Sequence, residues 1–290
     1  MKRADNLFEQ ITDYNNLRLA YLKALKGKRF TPAAIIFDLN ADKNLYRIKN
    51  QLENGTYVFG NYWQFKIYDP KERTITAATF ENRIVHHAIM NVLEPIFERQ
   101  FIFHTYACRK GKGSHKAIKY AQNCCRKSEY YLKLDVRKYF DNINHSVLKQ
   151  KLCHIIKDDK CLKVLFDIID SYSINALSVL DELRGLPIGN LTSQFFANFY
   201  LSSLDHFVLE NLKTVGYVRY MDDIIVFANY IQDLKIIYNK MSVFIKPMFL
   251  QFKPPVFNRC KTGVPFLGYL IFSYKTHLLQ KARKRQKIPQ

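Results

Sequence analysis

Val218-Arg219-Tyr220-Met221-Asp222-Asp223-Ile224-Ile225-Val226-Phe227 is the stretch on which the reading of the fold turns. Two adjacent acids separate two runs of β-branched and aromatic residues, the pattern of a β-hairpin whose turn carries the charge. Carboxylates at a turn between apolar strands need a cation, and a divalent metal held by oxygen ligands is the simplest one. The stretch reads as half of a metal site.

The other half is sought among acids on apolar strands. Tyr130-Tyr131-Leu132-Lys133-Leu134-Asp135-Val136 is a buried-strand pattern ending in an acid, followed by Arg137-Lys138-Tyr139-Phe140-Asp141-Asn142-Ile143. Capping of the next turn is better served by Asp141 or Asn142, which leaves Asp135 as the second functional candidate. Asp158-Asp159 is an internal control: set between Lys157 and Lys160, it reads as a solvated helix turn, so an Asp-Asp pair alone proves nothing. If Asp135 and the Asp222-Asp223 turn lie on neighbouring strands, three carboxylates converge with no neutralising arginine required by the pattern. They would raise one another's pKa unless metal ions are shared between them. Two Mg²⁺ ions about 3.5–4 Å apart suit in-line displacement at phosphorus, one activating a hydroxyl and one steadying the leaving pyrophosphate.

Composition agrees with such a substrate. The 290 residues carry 45 Lys plus Arg against 25 Asp plus Glu, a formal +20, so a polyanion is the expected partner and nucleic acid leads. The 48% hydrophobic content supports a sizeable core and excludes a disordered chain. No apolar run reaches the ~18 residues of a membrane span, and the start lacks a signal-peptide core, so a cytoplasmic protein without membrane contact is expected. Cys108, Cys124, Cys125, Cys153, Cys161 and Cys260 show no zinc-ligand spacing and are expected to be reduced. The adjacent His86-His87 point about 100° apart on a helix, with no third ligand at helical spacing.

In chain order, residues 4 to 27 read as a helix ending near Gly27, Pro32 reopens helix, and Ala41 to Leu52 continues it to the Asn54-Gly55 turn. Tyr57 to Thr76 reads as a hairpin with a basic tip. Lys66, Lys71 and Arg73 there fit either a solvated strand edge or a clamp for a triphosphate. Glu81 to Phe97 is helical. Arg109-Lys110-Gly111-Lys112-Gly113-Ser114-His115-Lys116 fits either an anion-binding loop before a helix or a floppy charged loop; it is not a Walker motif. Residues 146 to 171 are helical, Gly185 to Asn190 is a loop, and Thr192-Ser193-Gln194 open a long apolar helix. A basic helix over 231 to 246, a strand around Phe249 to Phe252 and a hairpin around Pro265 to Phe272 follow. The order permits one antiparallel sheet backed by helices.

These residues together resemble a reverse transcriptase from about residue 50 to residue 275. Tyr220-Met221-Asp222-Asp223 matches the family's Tyr-x-Asp-Asp box, Leu134-Asp135-Val136 with Tyr139 to Ile143 matches its first catalytic motif, and Phe266-Leu267-Gly268-Tyr269 falls at its primer grip. The resemblance implies an α+β right-hand polymerase fold with fingers and palm, an antiparallel palm sheet backed by helices, and a thumb that is short or absent. It implies N-terminal helices and fingers over 1–128, palm over 129–145, a helical fingers insertion over 146–184, palm with primer grip over 185–275, and a basic tail or vestigial thumb over 276–290. Asp135, Asp222 and Asp223 would be the catalytic acids, holding two Mg²⁺ ions, or Mn²⁺ in their place, with the Val136 carbonyl. Phe140 would exclude the sugar 2′-hydroxyl. Lys66, Lys71, Arg73 and Ile188 would contact the incoming deoxynucleoside triphosphate.

Two departures narrow the resemblance. Where most members carry Pro-Gln-Gly, this chain has Pro187-Ile188-Gly189, a form like that of diversity-generating retroelements, whose enzymes miscopy adenines. An alkyl group in place of an amide removes a polar check on the nascent pair, worth only ~0.5–1.5 kcal/mol per hydrogen bond. Alternatively Ile188 simply packs under its loop. Few residues follow Phe272, too few for a full helical thumb, so either the sequence is shortened there or the thumb is minimal; a minimal thumb implies dependence on partners, which by the resemblance are a structured template RNA, a cDNA or primer strand, and a small basic accessory protein oligomer. The expected function is RNA-directed DNA synthesis with adenine-directed infidelity. The alternatives are the reverse transcriptase of a retron, a group II intron or an antiphage system, the intron option lacking a visible maturase or endonuclease segment. A catalytically idle RNA-binding scaffold and a two-metal nuclease are the readings from other classes.

Overall fold

A computed structural model describes residues 3–68, 72–174 and 182–279. Lys71, at the expected hairpin tip, lies outside the described residues, as do residues 280–290 of the basic tail.

The chain begins with α1 (Phe8–Thr12) and α2 (Tyr14–Leu25). The expected single helix is broken because Asp13 acts as a cap, its carboxylate accepting the Asn16 N–H at 3.1 Å. Next come α3 (Pro32–Asp38), opened by its proline, and α4 (Ala41–Glu53), closing at Asn54-Gly55. A hairpin of β1 (Trp63–Tyr68) and β2 (Glu72–Ala77) leads to α5 (Phe80–Glu98), capped by Thr79. Then follow α6 (Ser114–Lys127) and β3 (Tyr130–Asp135). The expected helix over 146 to 171 is two, α7 (His145–Ile155) and α8 (Asp159–Asp170). Asn144, rather than Asp141 or Asn142, caps α7, and Asp158 caps α8.

The apolar helix begun at Leu191 divides into α9 (Leu191–Tyr200) and α10 (Ser202–Asn211). The quoted hairpin forms as read, β4 (Gly216–Tyr220) and β5 (Asp223–Ala228), followed by α11 (Ile231–Ile245). The expected strand over Phe249 to Phe252 does not form. Phe249 takes a left-handed conformation (φ 56°) after a short turn, and only Phe252 bridges, to Val136. The strand lies past Pro254-Pro255, as β6 (Val256–Arg259). The terminal hairpin gains a third strand: β7 (Val264–Phe266), β8 (Tyr269–Ile271) and β9 (Thr276–Leu278). Residues 276–278, expected to start a tail or thumb, are therefore part of a sheet.

Two compact units result, Met1–Gln100 with Ile143–Tyr200, and Phe101–Asn142 with Leu201–Gln290. They cut across the expected boundaries. Residues 101–128 join the second unit because α6 packs its apolar face on β4, β5 and β8, and residues 185–200 join the first because α9 packs on α5.

In the first unit, Phe97 of α5 meets the rings of Phe195, Phe196 and Phe199 of α9. Asp158 is more than a solvated turn. Its Oδ2 accepts the Leu7 and Phe8 N–H groups at 2.7 and 2.8 Å while Oδ1 accepts that of Cys161 at 3.0 Å. Ala4 also bridges to Ile156, fastening the start of the chain to the α7–α8 junction.

The second unit is built on a four-stranded antiparallel sheet in the order β4-β5-β3-β6. One face meets α11, the other α6. Between α6, the sheet and β7–β8 lies a core containing Ala121, Cys125, Tyr131, Ile225, Phe227 and Phe266. All six cysteines are free thiols.

Candidate active site

The sheet brings the predicted acids together by register. Asp135 ends β3 and Asp223 begins β5, and the two are cross-strand partners. Tyr220 pairs with Asp223 across a two-residue turn of Met221 and Asp222, with Met221 at φ 57°. All three carboxylates thus sit at one end of the central strands, where apolar sequence gives way to a turn. Burial pushes the Asp223 carboxyl up to about 6, against the opposing effect of Lys133, with Asp222 and Asp135 adding to the rise.

The pattern required no neutralising arginine, and the cations found beside the acids are two lysines. Lys133 Nζ lies 3.4 Å from Asp223 Oδ1, and Lys253 Nζ lies 2.5 Å from Asp135 Oδ1. Lys133 was legible: it stands two residues before Asp135, hence on the same face of β3. Lys253 was not, since the chain after Phe252 turns back and donates its own N–H to the Asp135 carbonyl at 2.8 Å.

Among the described residues no three His, Cys, Asp or Glu side chains are gathered into a ready metal cluster. The donor chemistry nevertheless suits a hard divalent cation. Asp135 Oδ1 and Asp223 Oδ1 are shut off from solvent, each beside a lysine ammonium that a divalent cation could displace.

Behind the acids is a buried ion pair that the sequence did not announce. Arg219 on β4 and Asp205 on α10 are both fully buried. Arg219 Nε donates to Asp205 Oδ1 at 2.7 Å and Nη2 to Oδ2 at 2.5 Å, while Nη1 donates to the Met221 carbonyl at 3.0 Å. Tyr217 completes the group, its hydroxyl donating to Asp205 at 2.7 Å. Burial alone would lower the Arg219 pKa, but Asp205 outweighs it and holds the guanidinium more firmly protonated than usual. The turn bearing Asp222 is thereby fixed from below.

In the same unit Leu267 and Gly268 form the two-residue turn of the β7–β8 hairpin, with φ 48° and 85°. Phe266 is buried under that turn and Tyr269 is partly exposed. Phe140 opens a short 3₁₀ turn, Phe140–Asn142, half-buried with its ring edge-on to Tyr139. Val136 is buried and bridges to Phe252.

Lys66, Arg73 and Ile188 belong to the first unit. Lys66 is paired with Glu72 at 2.6 Å, and both are exposed, as is Arg73. The Ile188 carbonyl accepts the Thr76 N–H at 2.8 Å, and Asn190 Oδ1 accepts that of Ala78 at 3.1 Å, so this loop is stitched to β2. Gly189, at φ 129°, has little room for a side chain: a Cβ would stand 3.1 Å from Ile75 and 3.2 Å from the Thr76 carbonyl. Gly189, Asn190 and Gln194 line a cleft of about 230 Å³ with Arg83 and His87.

The reverse transcriptase (RNA-dependent DNA polymerase) family matches residues 68–271. The chain belongs to this family. The matched segment contains the acids, Arg219, the β7 strand and the Ile188 loop. The chain is 25% identical over 198 residues to the group II intron-encoded protein LtrA of Lactococcus lactis, covering 66% of the chain and 33% of that protein. It is 26% identical over 167 residues to nuclear intron maturase 4 of Arabidopsis thaliana, covering 55% of the chain and 20% of the maturase. The chain thus spans about a third or less of these relatives. Its fold is similar to that of apo telomerase from Candida tropicalis, with a TM-score of 0.56, 14% identity, and coverage of 76% of this chain and 49% of that one. The named sequence relatives are intron proteins, so the likeness to diversity-generating retroelements read from Ile188 is not supported by them, and the intron alternative is.

The glycine-rich basic loop is tied down by hydrogen bonds from its cations to nearby carbonyls. Arg109 donates to the Ile102 and Thr105 carbonyls at 2.7 and 2.9 Å, Lys112 to the Phe103 carbonyl at 2.8 Å, and Lys116 to that of Gly111. Arg109, Lys112 and Lys116 are thus engaged with carbonyls of this loop and of the segment before it, so the loop is not a floppy one. No helix among the described residues is long and apolar enough to cross a membrane.

Proposed function

We propose that this chain is the catalytic core of an RNA-directed DNA polymerase of the intron-encoded kind, extending a primer on template RNA with deoxynucleoside triphosphates. The observation that carries the reading is the register of Asp135 against Asp223, with Asp222 at the adjoining turn. Asp135, Asp222 and Asp223 would hold two Mg²⁺ ions, with Mn²⁺ able to substitute, assisted by the Val136 carbonyl. Bound there, the ions would supply charge to activate the primer hydroxyl and to neutralise the pyrophosphate.

The remaining roles fall to the chain's own groups. Arg219 keeps the Met221-Asp222 turn in one conformation, so the acids need little reorganisation when substrate arrives. The turn of Leu267 and Gly268 would press on the primer strand, with Phe266 and Tyr269 flanking it, and Phe140 would exclude ribonucleotides by bulk. Lys66 and Arg73, with Lys71, would grip the triphosphate, which requires Lys66 to exchange Glu72 for phosphate.

The test is primer extension on a defined RNA with Mg²⁺. Synthesis is expected with the parent and lost with Asp222→Ala; extension that survives that change would overturn the two-metal reading.

A second reading rests on Pro187-Ile188-Gly189. If the alkyl side chain relaxes base selection, products would carry errors at template adenines, and a basic accessory protein oligomer would be the expected partner. Sequencing products of the parent and Ile188→Gln decides it. Equal adenine error in both would dismiss the reading.

A further inference from the structure

Lys133 has two partners on different elements. Its ammonium donates to the Pro265 carbonyl of β7 at 2.9 Å and stands 3.4 Å from Asp223 Oδ1. The first partner belongs to the hairpin whose turn is Leu267-Gly268, the second to the acid cluster. On β3 its cross-strand neighbour is Ile225, which places Asp223 diagonally, two residues along β5. The side chain is 25% exposed, so the two contacts compete in a partly desolvated setting.

An ammonium has three N–H groups and no acceptor, and it is drawn to whichever oxygen carries more negative charge. A divalent cation on Asp223 would cancel much of that carboxylate's pull and leave Lys133 to the Pro265 carbonyl. Conversely, while Lys133 leans on Asp223 it competes with the cation for the same oxygen.

We propose that Lys133 is a positioning residue that couples cation loading at Asp223 to the seating of the β7–β8 hairpin on the primer. The inference rests on the assignment of the acids and hairpin made above. It goes further in predicting effects of opposite sign from one substitution. Removing the ammonium should tighten cation binding, because a competitor is gone, and weaken primer binding, because the hairpin loses an anchor. A merely structural lysine would weaken both.

Lys253 supplies the control. It neutralises Asp135 from the turn after Phe252, and its substitution should relieve the acids while leaving Lys133 and Pro265 in contact.

The experiment uses the full chain and reads binding rather than turnover. Thermal shift against MgCl₂ gives the cation midpoint, and anisotropy of a labelled DNA primer on an RNA template gives the duplex Kd. For Lys133→Met the Mg²⁺ midpoint is expected to fall about fivefold and the duplex Kd to rise about fivefold, in the range of one charge-assisted contact. Lys133→Arg should stay within about twofold of the parent in both, and Lys253→Met should lower the midpoint with the Kd unchanged. If Lys133→Met worsens both quantities, or moves neither, the coupling is wrong. Loss of any Mg²⁺ response in the parent itself would instead overturn the assignment of the acids.

Discussion

The guanidinium of Arg219 and the carboxylate of Asp205 meet through two hydrogen bonds, both side chains wholly out of water. A third donor of Arg219 reaches the Met221 carbonyl, so the pair is mechanically continuous with the turn that presents Asp222. Removing one member strands the other. Asp205→Ala is expected to cost about 3–5 kcal/mol of stability. Arg219→Lys keeps the charge but cannot serve all three acceptors at once, and should lower kcat for primer extension at least tenfold with little change in KM. Denaturant unfolding and steady-state extension check the two statements.

His86 in α5 is buried against Thr192 of α9, Nδ1 to Oγ1 at 3.0 Å, and burial pushes its pKa down to about 3. The unfolded chain protonates this group near pH 6.5 and the folded chain does not. Its contribution to stability is therefore complete above pH 6.5 and lost as pH falls from there towards 3, with a slope of up to ~1.36 kcal/mol per pH unit. His87, lowered to about 4 by burial, acts in the same direction. Melting temperature should fall between pH 7.5 and 5, and less steeply in His86→Gln. Parallel curves for the two proteins would contradict the assignment.

Gly189 supports the next expectation. A methyl group there meets Ile75 and the Thr76 carbonyl at a φ that L-residues rarely adopt. Gly189→Ala should lift the loop from β2, costing about 1–3 kcal/mol. Hydrogen exchange gives the local signature: the Thr76 amide, donated to the Ile188 carbonyl, loses protection before the amides of β3 do.

Asp158 closes the set. Burial raises its pKa, but N–H groups of Cys161, Phe8, Leu7 and Lys160 outweigh this and leave it below the usual value. Such a group stabilises above the unfolded pKa near 3.9, and the gain disappears as pH falls through the lower folded value. Asp158→Ala should cost about 1–2 kcal/mol at pH 7 and nearly nothing extra at pH 2, measured by urea unfolding.

What the sequence revealed follows physical lines. The β4–β5 hairpin and β3 were legible because period-2 apolar runs end abruptly in acids, a pattern with few bland explanations. The places of Asp135, Asp222 and Asp223 followed from it. Helix breaks at Asp13 and Asp158 were misread as continuous helix, since apolar spacing survives a capping residue. The strand after α11 was misplaced because Phe249 to Phe252 has strand composition, while tertiary pairing selects Val256 to Arg259. Lys253 and the Arg219–Asp205 pair are products of tertiary contact, between residues with no shared local pattern. For Ile188 the sequence supplied the side chain, whereas the contact the structure displays is through its carbonyl.

The fastening of Leu7 and Phe8 to Asp158 spans about 150 residues of chain, and Ala4 meets Ile156 across the same interval. On a ribosome adding ~5–20 residues per second, the first helix is made many seconds before the carboxylate that will hold it. During that wait α1 can already pack on α2, α4 and α5, whereas the Leu7 and Phe8 N–H groups have no carboxylate to meet. Hydrogen exchange on stalled nascent chains should therefore find the Leu7 and Phe8 amides unprotected when the chain stops at residue 150 and protected once residue 158 has emerged; equal protection at both lengths would contradict this. The fastening of the N-terminal segment is scheduled by the calendar of synthesis and not by the strength of any single contact.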